Sequence, residues 1–445
     1  MAATSTPSSI PLGSYAATVV YSSVLMGRMI KRRTFVNNLS GPVPMDEWQK
    51  SIGNKNTTTP GMPIVQISDL AKMSGDRVTA DILDRIGGKP IVGDKIAKNT
   101  GVKISHLRDE VTIDQLRKVI DVGGRMSQQR TPHNLRENGR NLAMDYYGDL
   151  MDNIAQVQFA GLRGVAQGIE WKVPLASDAD FADIMVNPVL PPTRSRYVGL
   201  SSSVANPTQV STSNILTLNF FDDLRTINDT SPVPLQPVKM MGMMDEMVEG
   251  ERESLLVSMI STEQWNQLQK QTSDQNWRTF LSDATTRLSP MKHPLFRNGM
   301  CGIWRDILIC QAPRPIQLLG ASISGYMPGY DSVSYYDAAG ALQTGTIAAN
   351  VRLQRGVLLG AQGLALAYGN AERWSGGDAG TRGSGRTQAP VNVPYSWVEK
   401  LEDGDNLLQL FIGAMFGMKK LRYTFENELY DNGVFAFDTH VPALR

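Results

Sequence analysis

The stretch that most restricts what this chain can fold into is Arg125 to Gly164, RMSQQRTPHNLRENGRNLAMDYYGDLMDNIAQVQFAGLRG. Leu135, Leu142, Tyr146, Leu150, Ile154 and Val157 recur there at helical spacings of three, four and seven. Thr131 is placed to cap the first turn, Pro132 sits where a missing N–H costs nothing, and Gly161 with Gly164 supplies a stop. The pattern predicts one helix of roughly 29 residues, ~43 Å long at the usual rise per residue. Few globular domains use a single helix of that length, so the rest of the chain has to organise around it.

Its charges run mildly against the helix dipole. Arg130, Arg136 and Arg140 lie toward the N-terminal end, and Asp145, Asp149 and Asp152 toward the C-terminal end. The dipole favours the reverse by about 0.3–1 kcal/mol for a charge close to a terminus. A solvated mixed-charge face is the simpler account. The sharper expectation is that Arg136, Arg140, Asp145, Asp149 and Asp152 meet neighbouring copies of the same chain.

Before this helix, residues 1–64 read as an arm with few periodic signals, broken by Gly41-Pro42-Val43-Pro44 and Asn56 to Gly61. Such a segment is disordered or lies along something else. Val78, Ala80 and Ile82 then alternate with polar residues, Gly87 to Pro90 and Gly93-Asp94 break the run, Lys95 to Gly101 forms a polar tip, and Val111 and Ile113 open a second alternating run. A phase shift after Gln115 suggests a bulge. Together these predict a long two-stranded ribbon running through Gly123-Gly124 into the helix. An isolated ribbon is barely stable in water, so Lys89, Asp94, Lys95 and Lys98 at its tip are candidate neighbour contacts.

After the helix, residues 166–212 read as a loop-dominated insertion. A compact α/β region follows: a helix at Phe220–Ile227, a strand at Leu255–Val257, and a helix starting at Ser261-Thr262-Glu263-Gln264. A further helix spans Trp277–Leu288, and Ile303–Ile309 reads as one strand. Gly320–Gly345 reads as a loop, Gly356–Tyr368 as a packed helix of small apolar residues, and Asn370–Pro394 as a glycine-rich linker. Strands near Leu407–Met415, Lys419–Thr424 and Val434–Phe437 close the chain.

Chemistry is hard to find. The 445 residues are 41% hydrophobic and 20% charged with a net charge of +1, which describes a folded protein and not a general polyanion binder. Arg28, Lys31, Arg32 and Arg33 form a local basic cluster that could face DNA or a neighbour. Cys301 and Cys310 are too few for a disulfide framework and lack metal-ligand spacing, so synthesis in a reducing cytoplasm is expected. The apolar stretch Ile10–Ile30 lacks both the charged start of a signal peptide and the continuity of a membrane span. Gly380 to Thr387 matches a phosphate-binding loop with Arg386 in place of lysine. No apolar strand precedes it, and Pro390 and Pro394 stand where the helix should begin, so a flexible loop is expected. The four histidines are scattered, and the acidic run Asp245 to Glu253 lacks the ligand order of a calcium loop. No catalytic residue, cofactor or metal site is expected.

One resemblance does emerge. Gly61-Met62-Pro63-Ile64-Val65, Gly75-Asp76-Arg77-Val78, Gly88-Lys89-Pro90, Asp114-Gln115-Leu116-Arg117 and Gly123 to Thr131 follow in an order that resembles a branch of phage major capsid proteins. So do Phe159 to Gly164, His293-Pro294-Leu295-Phe296, Gly360 to Gly369 and Gly417-Met418-Lys419-Lys420. The likeness covers roughly residues 61–165 and 213–440 and resembles the Hong Kong 97-type α+β capsid fold, in the branch typical of short-tailed phages. It implies an N-terminal arm (1–64), an E-loop corresponding to the ribbon (65–125) and a peripheral domain with the spine helix and an insertion (126–212). An axial domain (213–370) and a return to the peripheral domain (371–445) would follow. The implied function is self-assembly into hexamers and pentamers of an icosahedral virion shell around double-stranded DNA. Portal, scaffolding and possible decoration proteins would be partners, DNA contact would be non-specific, and no membrane would be involved. A portal or tail-tube component, or an enzyme using the 380–387 loop, is the alternative. From Met1 onward, no removal of an N-terminal scaffold segment is expected.

Overall fold

The computed structural model describes residues 36, 39–40, 61–67, 75–83, 89–93, 106–131, 134–165, 171–238, 255–288, 301–312, 314, 316–369, 381–388, 394–404, 406–425 and 428–442. The central helix is shorter at its start than the sequence suggests. A first helix, α1 (Arg125–Arg130), ends at Thr131, and the spine helix α2 (Leu135–Ala160) begins after Asn134. Asn134, not Thr131, is the cap, accepting from the Glu137 N–H at 3.3 Å. Gly161 ends the spine with φ +63°, and a Cβ there would lie 2.2 Å from the Leu190 carbonyl oxygen, so only glycine fits.

Burial along the spine is not a stripe. Leu142 is 61% exposed, yet all ten residues from Met151 to Ala160 are buried, including Asp152, Asn153, Gln156 and Gln158. A helix covered on every side lies inside the protein. Part of that cover comes from the arm: Val36 and Leu39, in a helical turn, join the same apolar cluster as Ile154 and Met151.

One sheet packs against the spine. Its strands are β1 (Ile64–Ile67), β4 (Asp114–Gly124), β12 (Leu364–Tyr368), β13 (Thr381–Gln388), β14 (Pro394–Glu402) and β15 (Leu407–Lys420). β15 is central, with β14 on one side and β4 on the other. Leu410, Ile412, Ala414 and Phe416 of β15 turn inward to the spine, as strict alternation requires. The Tyr147 hydroxyl joins the layers, within 2.9 Å of both the Leu116 and Ile412 carbonyl oxygens.

A second sheet contains β5 (Leu256–Ile260), β6 (Cys301–Trp304), β7 (Ile307–Gln311), β8 (Ile316–Leu319), β11 (Arg352–Leu359) and β18 (Val434–His440). Helices α4 (Leu218–Thr230), α5 (Thr262–Gln271) and α6 (Asp274–Leu288) accompany it, and α3 (Phe181–Met185) is the one α-helix described in the 171–212 region. Phe220, Phe221, Phe280, Phe435 and Phe437 fill the space between. The Ser261–Gln264 capping box starts α5 as its sequence predicts. Three small pairs complete the fold: β2 (Arg77–Leu83) with β3 (His106–Thr112), β9 (Ser332–Tyr336) with β10 (Leu342–Thr346), and β16 (Arg422–Phe425) with β17 (Glu428–Asp431).

Several expectations need correcting. Gly356–Tyr368 is not a helix but the ends of β11 and β12, and Ile303–Ile309 is a hairpin turning at Arg305 and Asp306, both at positive φ. That turn sets Cys301 opposite Cys310, and the structure joins them in a disulfide. The Gly320–Gly345 loop holds the β9–β10 hairpin. Residues 381–388 form an extended strand paired with β14, so they are neither a flexible loop nor a turn that could cradle a phosphate.

Candidate assembly surface

The ribbon is shorter than the sequence suggests. β2 and β3 pair from Arg77↔Thr112 to Leu83↔His106, but past Ile113 the chain leaves the ribbon and β4 joins the large sheet. The ribbon root is tightly held. The Asn187 side chain accepts from the Thr112 N–H at 3.0 Å and donates to its carbonyl at 2.8 Å. Asp109 pairs with Lys419 and accepts from the Arg422 N–H at 3.1 Å. Gly417 lets β15 pass so close that a Cβ would sit 1.9 Å from the Thr112 carbonyl oxygen.

On the solvent-facing side of the ribbon the contacts weaken. The Arg77–Glu110 ion pair spans 3.7 Å with side chains 64% and 59% exposed, a geometry worth little in water. Lys89 to Gly93 is exposed throughout, and Ile91 and Val92 are 45% and 70% exposed. Two adjacent aliphatic residues thus face solvent here. Lys89 is therefore accessible, while Asp94, Lys95 and Lys98 lie outside the described residues, as do Arg28, Lys31, Arg32 and Arg33.

The helix charges meet partners within the chain. Arg136 and Arg140 both bind Glu399 of β14, with Nε–oxygen distances of 2.9 Å, and Arg140 also stacks 4.4 Å from the Trp397 ring centre. Burial alone would push the Glu399 carboxyl up, but the two guanidinium groups hold it below the usual range. Asp149 meets Arg314 at 3.3 Å, and Asp152, 2% exposed, accepts from the Val36 N–H at 3.0 Å. All four of these residues have partners within the chain. Asp145 is half-buried. The electrostatic order along the helix thus reflects what packs on each end.

Sequence reasoning missed the strongest polar contacts. Arg355 donates to both Asp438 oxygens at 2.7 Å, with both side chains 0% exposed, and also to the Ala160 carbonyl at the end of the spine. Lys420 and Arg422 converge on Asp431 at 2.8 and 2.6 Å, and burial pulls the Lys420 ammonium down to about 8. Charged residues inside otherwise apolar strands, as in VFAFDTH, were the available signal. Each of these ion pairs joins tertiary elements. A cleft of about 400 Å³ lies where β4, α1, the start of the spine and the β14–β15 turn meet, lined by Arg125, Gln128, Asn134, Arg136 and Asn406. Among the described residues its lining has no histidine, cysteine or carboxylate to act as base or nucleophile.

The profile of the phage capsid protein family matches residues 9–443. The chain belongs to that family. It is a major capsid protein of a phage head, a structural protein of the virion and not an enzyme. No curated protein sequence matches it. Among solved structures it is similar to the capsid of Ralstonia phage GP4, with 22% identity, 99% of this chain and 100% of that chain covered, and a TM-score of 0.68. It is also similar to the Cyanophage Pam1 capsid, at 15% identity, 98% and 99% coverage and TM-score 0.57. The capsid of Helicobacter pylori bacteriophage KHP30 aligns at 10% identity, 94% and 95% coverage and TM-score 0.53. These likenesses show the fold, the mixed α+β Hong Kong 97-type.

Proposed function

We propose that this capsid protein assembles as hexamers and pentamers of a closed icosahedral head around double-stranded DNA. The observation that carries this reading is the β2–β3 ribbon, held at its root by Asn187 and Lys419, with Ile91 and Val92 exposed in the segment that joins its two strands. A shell subunit needs such an element, because its fold is completed by lying on a neighbour. Summed over several neighbours, burial of this kind reaches or exceeds a standard interface of about 1,600 Å². Lys89, with Asp94, Lys95 and Lys98, would be the polar border of that contact.

The same reading assigns the residues before 65 to an arm, 65–125 to an E-loop, 126–212 and 371–445 to a peripheral domain, and 213–370 to an axial domain. In the fold, β13 to β15 lie in the spine sheet, whereas β18 belongs to the second sheet, so the C-terminal segment would serve both halves. The order of short motifs from Gly61 to Lys420 supports the branch typical of short-tailed phages. A DNA-filled shell also implies a portal, a scaffold for assembly and a possible decoration protein. With a net charge of +1, contact with packaged DNA would be local and non-specific, with Arg28 to Arg33 as its candidate. Electron micrographs of particles formed by the purified chain test this. Closed shells with fivefold and sixfold clusters are expected, and open tubes or twelvefold rings would overturn it.

A further inference from the structure

Among the described residues, strand β4 is an edge of the spine sheet. Among the described residues its strand partner is β15 alone, and most of Asp114 to Gly124 is exposed. A long edge strand is a template for another chain unless proline, charge or a covering element blunts it. β4 has no proline, and its charges have a particular order. Leu116 and Ile120 pack toward the spine, so alternation turns Arg117, Val119 and Asp121 to the opposite face. Val119 is 45% exposed and lies opposite Phe411, which in turn lies opposite Val398. An apolar row flanked by one cation and one anion therefore runs up to the edge of β4 that has no partner among the described residues.

We propose that β4 pairs antiparallel with β4 of a second copy about a twofold axis at Val119, joining the two spine sheets into one. This rests on the reading of the chain as a shell subunit and names the edge that supplies one of its twofold contacts. An axis perpendicular to the sheet pairs residues on the same face, so it must pass through a residue and not between two. Val119 is the middle of the 11-residue strand, so this register gives the longest overlap. It sets Arg117 opposite Asp121 on both sides of the axis and Val119 opposite itself, a favourable set of cross-strand pairs. Moving the axis to Lys118 or Arg117 sets that cation against its own copy. Moving it to Ile120 separates Arg117 from Asp121. The pairing with β15 is regular from Asp114 to Asp121, and its irregularity comes only after that, so the central pairs lie in regular strand.

Self-opposed residues in a sheet have Cβ atoms about 4.5–5.5 Å apart, within reach of a disulfide after small adjustment. Particles of the full chain carrying Val119→Cys, treated with a mild oxidant, should run largely as covalent dimers on a non-reducing gel. Lys118→Cys, which faces Ile120 in the proposed register, should stay monomeric. Arg117→Glu should lower particle yield at least tenfold, and Arg117→Glu combined with Asp121→Arg should restore it. Normal particles without Val119→Cys dimers, or a charge swap that restores nothing, would overturn this pairing. Absence of closed particles from the unmodified chain would count against the shell reading.

Discussion

The buried seam where the spine meets the second sheet and the β2–β3 ribbon use the same chemistry in opposite surroundings. Both contain arginine–carboxylate pairs. At the seam, Arg355 and Asp438 are fully enclosed and anchored to the spine carbonyl at Ala160, so the pair fixes one arrangement. On the ribbon, Arg77 and Glu110 are solvated and fix almost nothing. The proposed function makes the protein a pre-built platform with an appendage whose order would come from its neighbours. That division suits a subunit that must fold alone yet become rigid only in a shell.

The largest test breaks the platform. Arg355→Met leaves Asp438 buried without its cation and should cost about 3–5 kcal/mol in denaturant unfolding of the unassembled subunit. A loss below about 1 kcal/mol would remove the contrast between seam and ribbon.

Glu399→Gln comes next, with an expected loss of about 1–3 kcal/mol, because two arginines lose an ionised acceptor. It also has a pH signature. The folded-state carboxyl is held below its ordinary value of 4.5, so its contribution is present above that pH and fades as pH falls through the lower folded-state value. Acid titration of stability should therefore be shallower in Glu399→Gln than in the unmodified chain.

How much of this was legible beforehand divides along similar lines. The spine, the ribbon strands and the Ser261 capping box follow from periodicity and capping chemistry, which act locally. The misreadings came from long-range constraint. Gly356–Tyr368 is rich in small apolar residues that suit a helix, but β11 and β12 are buried on both faces, where strands lose their alternation. Residues 381–388 look like a loop until β14 supplies a strand to pair with. Glu399, 259 residues beyond Arg140, could likewise not be placed beside the helix arginines from sequence. The polar tip read at residues 95–101 lies outside the described residues.

Smaller effects sharpen the ribbon side of the comparison. Asp109→Asn removes the charge that holds Lys419 and should change global stability by less than about 1 kcal/mol. Hydrogen exchange across His106–Thr112 should nevertheless quicken, because the ribbon root loses its clamp. The combined change of Ile91→Ser and Val92→Ser should leave subunit stability within about 0.5 kcal/mol, yet lower particle yield severalfold. A yield unchanged by that substitution would remove the tip from the assembly contact.

The most direct test of the central claim is hydrogen exchange of the ribbon, Arg77–Leu83 and His106–Thr112, in unassembled subunits and in particles, with the spine helix as internal reference. Fast exchange of the ribbon in the free subunit, strong protection in particles and a spine protected in both is the expected result. A ribbon already as protected as the spine in the free subunit would contradict the account.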